Sequence, residues 1–148
     1  MMRTLFTIGT SKKSLRRFIE LLREAEVDAV IDTRRNNTSQ LAGFSKKEDL
    51  AFLLREGFRI GYEHRPELAP TEPLLAAFLK SKDWERYSMG FLDEMEAGGM
   101  REILADRLSR YRRPCLLCAC DSEQRCHRRL LTEALQEARP GLEVRHLR

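Results

Sequence analysis

Short apolar runs alternate along this chain with stretches of helical period, and that alternation restricts the folds open to it more than any single residue does. Thr4-Leu5-Phe6-Thr7-Ile8 is β-prone and stops at the turn Gly9-Thr10-Ser11. Ser14 is placed to cap a helix in which Leu15, Phe18, Ile19 and Leu22 recur on one face. Val27 to Ile31 is a second strand, followed by Asp32-Thr33-Arg34-Arg35 and by Asn36-Asn37-Thr38-Ser39, a polar loop positioned to close over a ligand. Ser45 is read as the cap of a helix carrying Leu50, Leu53 and Leu54, which Gly57 ends. Phe58 to Glu63 reads as a third strand, and His64-Arg65-Pro66-Glu67-Leu68 as a loop, because proline cannot extend a central strand.

Residues 73 to 112 read as helical, with interruptions near Ser81 and at Gly98-Gly99. Cys115 to Cys118 makes a fourth strand, and Cys126 to Ala138 a helix that buries Leu130, Leu131, Ala134 and Leu135. Pro140-Gly141 breaks it, Leu142 to Leu147 suits a final edge strand, and Glu143 to Arg148 can alternatively pair across a homodimer. Strands alternating with helices imply parallel pairing through right-handed crossovers. The expected fold is therefore α/β: one domain over residues 1–148, with a doubly wound, mostly parallel five-stranded sheet flanked by helices. The expected strand order is 3-2-1-4-5. In such sheets the binding crevice lies beyond the carboxyl ends of the strands, where the winding reverses. Gly9-Thr10-Ser11, Asp32-Thr33-Arg34, His64 to Glu67 and Cys118 to Arg128 all fall there.

Composition narrows the class further. No apolar run approaches the roughly 20 residues that span a bilayer. The first residues run directly into a strand pattern instead of a signal peptide layout, so no membrane association and a cytoplasmic location are expected. Four unevenly placed cysteines suit reduced thiols better than a disulfide framework. The 27 basic residues are mostly arginine, whose planar fork binds carboxylates and phosphates, although a net charge of +4 is too mild to demand nucleic acid.

The segment from Leu116 to Arg129 gathers three cysteines and a histidine at a strand-to-helix junction. A thiol at a helix N-terminus is acidified by the dipole, so Cys118 or Cys126 can act as a nucleophile, with His127 or His64 as base. Cys118 can equally be a buried packing residue. Zinc is the rival use: Cys118, Cys120, Cys126 and His127 are its preferred ligand types, but the C-x-C-x5-C-H spacing lacks the usual knuckle, and zinc is not the favoured reading. A C-x5-R phosphate loop cannot be drawn, because Gln124 and Cys126 stand at the required positions. Asp32 and Arg34 share a face if strand two continues that far, either as a structural ion pair or as acid/base and anion clamp. Tyr62, His64 and Glu67 add donor, base and acid functions near the same edge. Thr10 and Ser11 offer a weak phosphate cradle without the G-x-G-x-x-G pattern.

Five ordered blocks carry a resemblance. They are Thr7-Ile8-Gly9-Thr10-Ser11, Asp32-Thr33-Arg34 with Ser39, Phe44-Ser45-Lys46, Tyr62-Glu63-His64 through Leu68, and Leu116-Leu117-Cys118 through Arg128. Together they resemble, over nearly the whole chain, the prokaryotic family catalogued as domain of unknown function 488. The resemblance implies a small cytoplasmic α/β protein with a site built from Asp32, Arg34, Ser39, Tyr62, Glu67, Cys118, Cys126, His127 and Arg128, and no established reaction. The chain departs from the family pattern at Cys120, where a glutamate is usual, and at Asn37, where a proline is usual.

The leading expectation is an enzyme of hydrolysis or group transfer on a phosphate-bearing ligand, such as a nucleotide or nucleic acid. Arg34 and Arg128 would clamp the anion, Thr10, Ser11, Ser39, Tyr62 and Glu67 would line the site, and Asp32, Cys118, Cys126 and His127 would carry the chemistry. The alternatives are a non-catalytic zinc- or thiol-dependent module that binds nucleic acid, and an anion-sensing domain.

Overall fold

The computed structural model describes residues 2–38 and 40–148. Five strands, β1 (Thr4–Gly9), β2 (Ala29–Asp32), β3 (Gly61–His64), β4 (Pro114–Cys118) and β5 (Glu143–His146), form one sheet in the order β3-β2-β4-β1-β5. Every pairing is parallel. The helices are α1 (Leu15–Glu24), α2 (Lys47–Phe52, prolonged by a wider turn over Leu53–Gly57), α3 (Glu72–Ser81), α4 (Trp84–Ala97), α5 (Met100–Leu108) and α6 (His127–Ala138). No helix among the described residues is long and apolar enough to cross a membrane.

The fold class agrees with expectation, but the strand order does not: β4 lies between β1 and β2, not outside β1. Its five residues Pro-Cys-Leu-Leu-Cys are all buried, as a strand covered on both faces must be. Charged Glu143 and Arg145 alternate with half-buried Val144 and His146 on β5, which suits an edge.

Alternation along the strands divides the core. Phe6, Ile8, Val30, Cys115 and Leu117 face α1 and α2, packing on Phe18, Leu22, Leu50 and Leu54. Leu5, Ile31 and Leu116 face the other layer, packing on Phe91, Met95, Leu104, Leu131 and Leu135 of α4, α5 and α6. Ser14 caps α1 by accepting from the Arg17 N–H, as its position predicts. Ser45 does not cap α2: the N-cap is Lys46, and Ser45 turns toward Arg34 instead. The helical stretch before β4 breaks at Lys82, which adopts a left-handed conformation, and at Gly98-Gly99, close to where the sequence places the breaks.

This winding gives β4 two neighbours, β1 and β2, whose following helices lie on the face opposite α6. The end of β4 is thus flanked by connections that leave in the other direction, which is the switch-point geometry where α/β sheets bind ligands.

Candidate functional site

Cys118 ends β4 on the α6 side of the sheet, since Leu116 two residues earlier packs into that layer. The chain then crosses the end of β1. A Cβ on Gly9 would lie 1.6 Å from the Cys120 carbonyl oxygen, so only glycine allows the crossing. The Thr10 N–H donates to Cys118 O at 3.0 Å, and the Ser11 N–H to Ala119 O at 3.2 Å. The Ser11 hydroxyl donates to Ala119 O as well. Thr10 and Ser11 therefore pin the crossing, and neither N–H is left to cradle a phosphate.

Beyond the crossing, a short 3-10 turn (Glu123–Arg125) leads to Cys126, the N-cap residue of α6. It returns Cys126 to Cys118 with the two sulfurs 3.0 Å apart. The Sγ atoms of Cys118, Cys120 and Cys126 all lie within 4.8 Å of one another. Arg128, the second residue of α6 and fully buried, donates from Nη1 to Cys118 Sγ at 2.7 Å and to Cys120 O at 2.8 Å. Its Nε donates to Thr7 Oγ1 at 3.1 Å, and Thr7 is 2.6 Å from His146 Nδ1 on β5. Arg128 Nη2 has no hydrogen-bond partner among the described residues, and Glu123 Oε2 stands 3.9 Å away.

The thiols titrate as a group. Burial, together with the Cys120 contact, raises the Cys118 thiol, although Cys126 and the Arg128 charge draw it down. Hydrogen bonds from Cys118 and Cys126 lower Cys120 and correspondingly raise Cys126. The thiol contacts favour the negative charge on Cys120, whereas the direct Arg128 contact favours it on Cys118. We assign it to the cluster as a whole, since Arg128 touches both the Cys118 sulfur and the Cys120 carbonyl. Cys115, fully buried on the opposite face, is pushed far up by burial and takes no part.

His127 has a fixed tautomer. Thr33 Oγ1 donates its one proton to Leu117 O at 2.9 Å, so its contact with His127 Nε2, also 2.9 Å, requires the imidazole to donate. Nε2 also lies 3.1 Å from Thr33 O. Nδ1 is then a lone pair, 3.9 Å from Cys126 Sγ. Burial lowers the His127 pKa and keeps the ring neutral.

A cavity of about 240 Å³ opens over these groups. Cys118, Cys120, Cys126 and His127 line one side, Leu75, Phe78 and Leu79 of α3 with Tyr87 of α4 the other, and Arg35 and Arg125 also border it. Nothing on α3 is buried, so its apolar side chains are available to this wall.

The second group of expected site residues lies across the sheet. Asp32 shares a face with Val30, toward α1 and α2, and its carboxylate is fully buried. Arg34 donates to it twice, Nε at 2.9 Å and Nη2 at 2.7 Å, and Nη2 also reaches Ser45 O at 2.7 Å. Asp32 Oδ2 accepts from Tyr62 OH at 2.5 Å and from Asn37 Nδ2 at 3.0 Å. Burial by itself raises the Asp32 pKa, but the Arg34 fork, Tyr62 and Asn37 outweigh it and hold the carboxyl below its usual range. Burial and the Asp32 charge push the Tyr62 hydroxyl up.

The structure separates in part what the sequence gathers into one crevice, with Arg34 still bordering the cavity that Cys118 lines. Cys118, Cys126, His127 and Arg128 meet, while Asp32, Arg34 and Tyr62 form a closed ion-pair network that anchors the loop after β2. In this arrangement the Arg34 fork is engaged by Asp32 and Ser45. Glu67 is exposed on the 3-10 turn Pro66–Leu68 and does not border the cavity. His64 reaches Arg34 O at 2.8 Å. Ser39 lies outside the described residues. Thr7 and Thr33 are the residues sequence reasoning missed; Thr7 was recoverable, since it alternates onto the face of Leu5 and so of Cys118.

The family model described as Domain of unknown function DUF488 matches residues 14–135, most of the chain. No curated protein and no solved structure matches it. The chain belongs to the DUF488 family.

Proposed function

We propose that this DUF488 member is an enzyme of hydrolysis or group transfer, acting through the Cys118 thiol cluster on a small phosphate-bearing ligand held in the cavity beside α3. The observation that carries this reading is the contact of buried Arg128 with Cys118 Sγ, at the floor of a cavity large enough for a small molecule. A guanidinium with no nearer anionic partner stabilises a thiolate there. Arg35 and Arg125 supply positive charge at the cavity wall, and the N-terminus of α6 favours an anion beside Cys126. Leu75, Phe78 and Leu79 suit an apolar portion of the same ligand.

The chemistry follows from these positions. Cys118 Sγ attacks phosphorus, the ester P–O bond breaks, and the departing oxygen takes the Cys126 thiol proton. A water then loses a proton to the Cys126 thiolate and attacks phosphorus, the P–S bond breaks, and Cys118 returns to its starting state. His127 Nδ1, facing Cys126, steadies that proton. The products are an alcohol and phosphate. Free thiols of this kind belong in a reducing compartment, and the reading places the protein in the cytoplasm.

A thermal-shift panel of phosphate monoesters, nucleotides, oligonucleotides and plain inorganic anions tests this. Stabilisation by at least one phosphate ester, weakened in an Arg125→Ala/Arg35→Ala variant, is expected. No response to any of them contradicts it.

A further inference from the structure

We propose that Cys118, Cys120 and Cys126 form a binding site for a single thiophilic cation of the zinc class, and that the bound ion masks the Cys118 nucleophile. The masking half rests on the function proposed above; the metal site does not. Zinc–thiolate bonds are about 2.3 Å, which sets sulfur–sulfur separations in a tetrahedral site at roughly 3.8 Å. The three Sγ atoms span that value, from 3.0 Å between Cys118 and Cys126 to no more than 4.8 Å across the group. Adjusting each pair takes about an ångström or less. A lone nucleophile with a neighbouring thiol would give Cys120 no role, whereas a metal uses all three sulfurs.

Charge points the same way. A dication on three thiolates leaves one net negative charge, and Arg128 places one positive charge against Cys118 with its Nη2 still lacking a hydrogen-bond partner among the described residues. Three thiolates without a metal would exceed what one guanidinium can balance in a buried setting. The His127 Nδ1 lone pair borders the cluster from the Cys126 side, and all three cysteines line the cavity, which leaves room for a fourth, exchangeable ligand. Three protein ligands with one open position is an arrangement that leaves the ion exchangeable.

Cobalt(II) and zinc titrations of the reduced, chelator-treated full chain test the site. One cobalt per chain, with a thiolate-to-cobalt charge-transfer band that zinc abolishes, is the expected result. Cys120→Ser, at the rim, should keep the circular dichroism of the parent and lower zinc affinity by about 100-fold or more, beyond the loss of an outer hydrogen bond to a ligand. Cys115→Ser should leave the band unchanged. Zinc should also slow alkylation of Cys118 in the parent and not in Cys120→Ser. Absence of the band, or a band indifferent to Cys120→Ser, overturns the metal site. A band without protection of Cys118 overturns the masking. If Cys118 is unreactive even without metal while the band forms, the proposed function fails and the metal site stands.

Discussion

Arg128 and Cys118 meet at 2.7 Å in the interior of the protein, with the arginine fully buried and the cysteine 1% exposed. A charged group in that position requires an anionic or strongly accepting partner, and the thiol cluster provides it. Arg128→Met keeps most of the volume and removes the charge. It should destabilise the protein by about 3–5 kcal/mol, and in whatever fraction stays folded it should slow alkylation of Cys118 at neutral pH. Denaturant unfolding and peptide mass mapping read the two effects separately. Unchanged stability and unchanged reactivity together would show that the contact does nothing.

Gly9→Ala should act on the same site from the other strand. Its Cβ would coincide with the Cys120 carbonyl, so the crossing after β4 must move, at a cost at or above the roughly 1–3 kcal/mol of ordinary overpacking. Gly141→Ala meets nothing within 4 Å and should change stability by no more than about 0.5 kcal/mol. Thermal melts of the two variants side by side check this, and equal melting temperatures contradict it.

Across the sheet, Asp32→Asn breaks a buried ion pair and should cost about 3–5 kcal/mol. The acid dependence has a definite sign. The folded pKa of Asp32 lies below its unfolded value, so its contribution is complete above about pH 4 and is lost as pH falls through the lower folded value. Denaturation midpoints measured from pH 7 downward should therefore fall more steeply below pH 4 in the parent than in Asp32→Asn. Parallel curves would remove Asp32 from the account.

The His127 tautomer is open to direct observation. Nitrogen-15 NMR of the imidazole near neutral pH should show a neutral ring protonated at Nε2, with Nδ1 unprotonated. Thr33→Val leaves the Thr33 carbonyl contact and should preserve that tautomer. A ring protonated at Nδ1 would leave Cys126 without a facing lone pair.

Much of the fold was legible because particular residues constrain it strongly. Gly98-Gly99 and the polar stretch after Ser81 break the helices where they do, and the uninterrupted apolar run of β4 announces a strand covered on both faces. Strand order was less legible, since periodicity says which faces are buried and not which strands are neighbours. The five buried residues of β4 against the charged alternation of β5 nonetheless held the clue that β4 belongs inside. At the site, Cys118, Cys126, His127 and Arg128 were recognisable from their junction. The Asp32–Arg34 ion pair was among the readings, but β2 ends at Asp32, so Arg34 reaches it from the loop, and the side of the sheet Asp32 faces depends on β2 parity relative to the packed helices. That one-residue parity separates a buried anchor from a ligand site. Ser45 was misread because its carbonyl, not its hydroxyl alone, answers Arg34, and carbonyl direction is a tertiary property.

Under the proposed function, the cluster on β4 and α6 holds a reactive thiolate open to the cavity. Timed iodoacetamide labelling of metal-free Cys120→Ser protein at neutral pH, resolved residue by residue, tests it most directly. Cys118 should label faster than a free cysteine in the same buffer and be protected by a phosphate ester that stabilises the protein, while Cys115 stays unlabelled. Labelling of Cys118 as slow as that of Cys115 would contradict the claim.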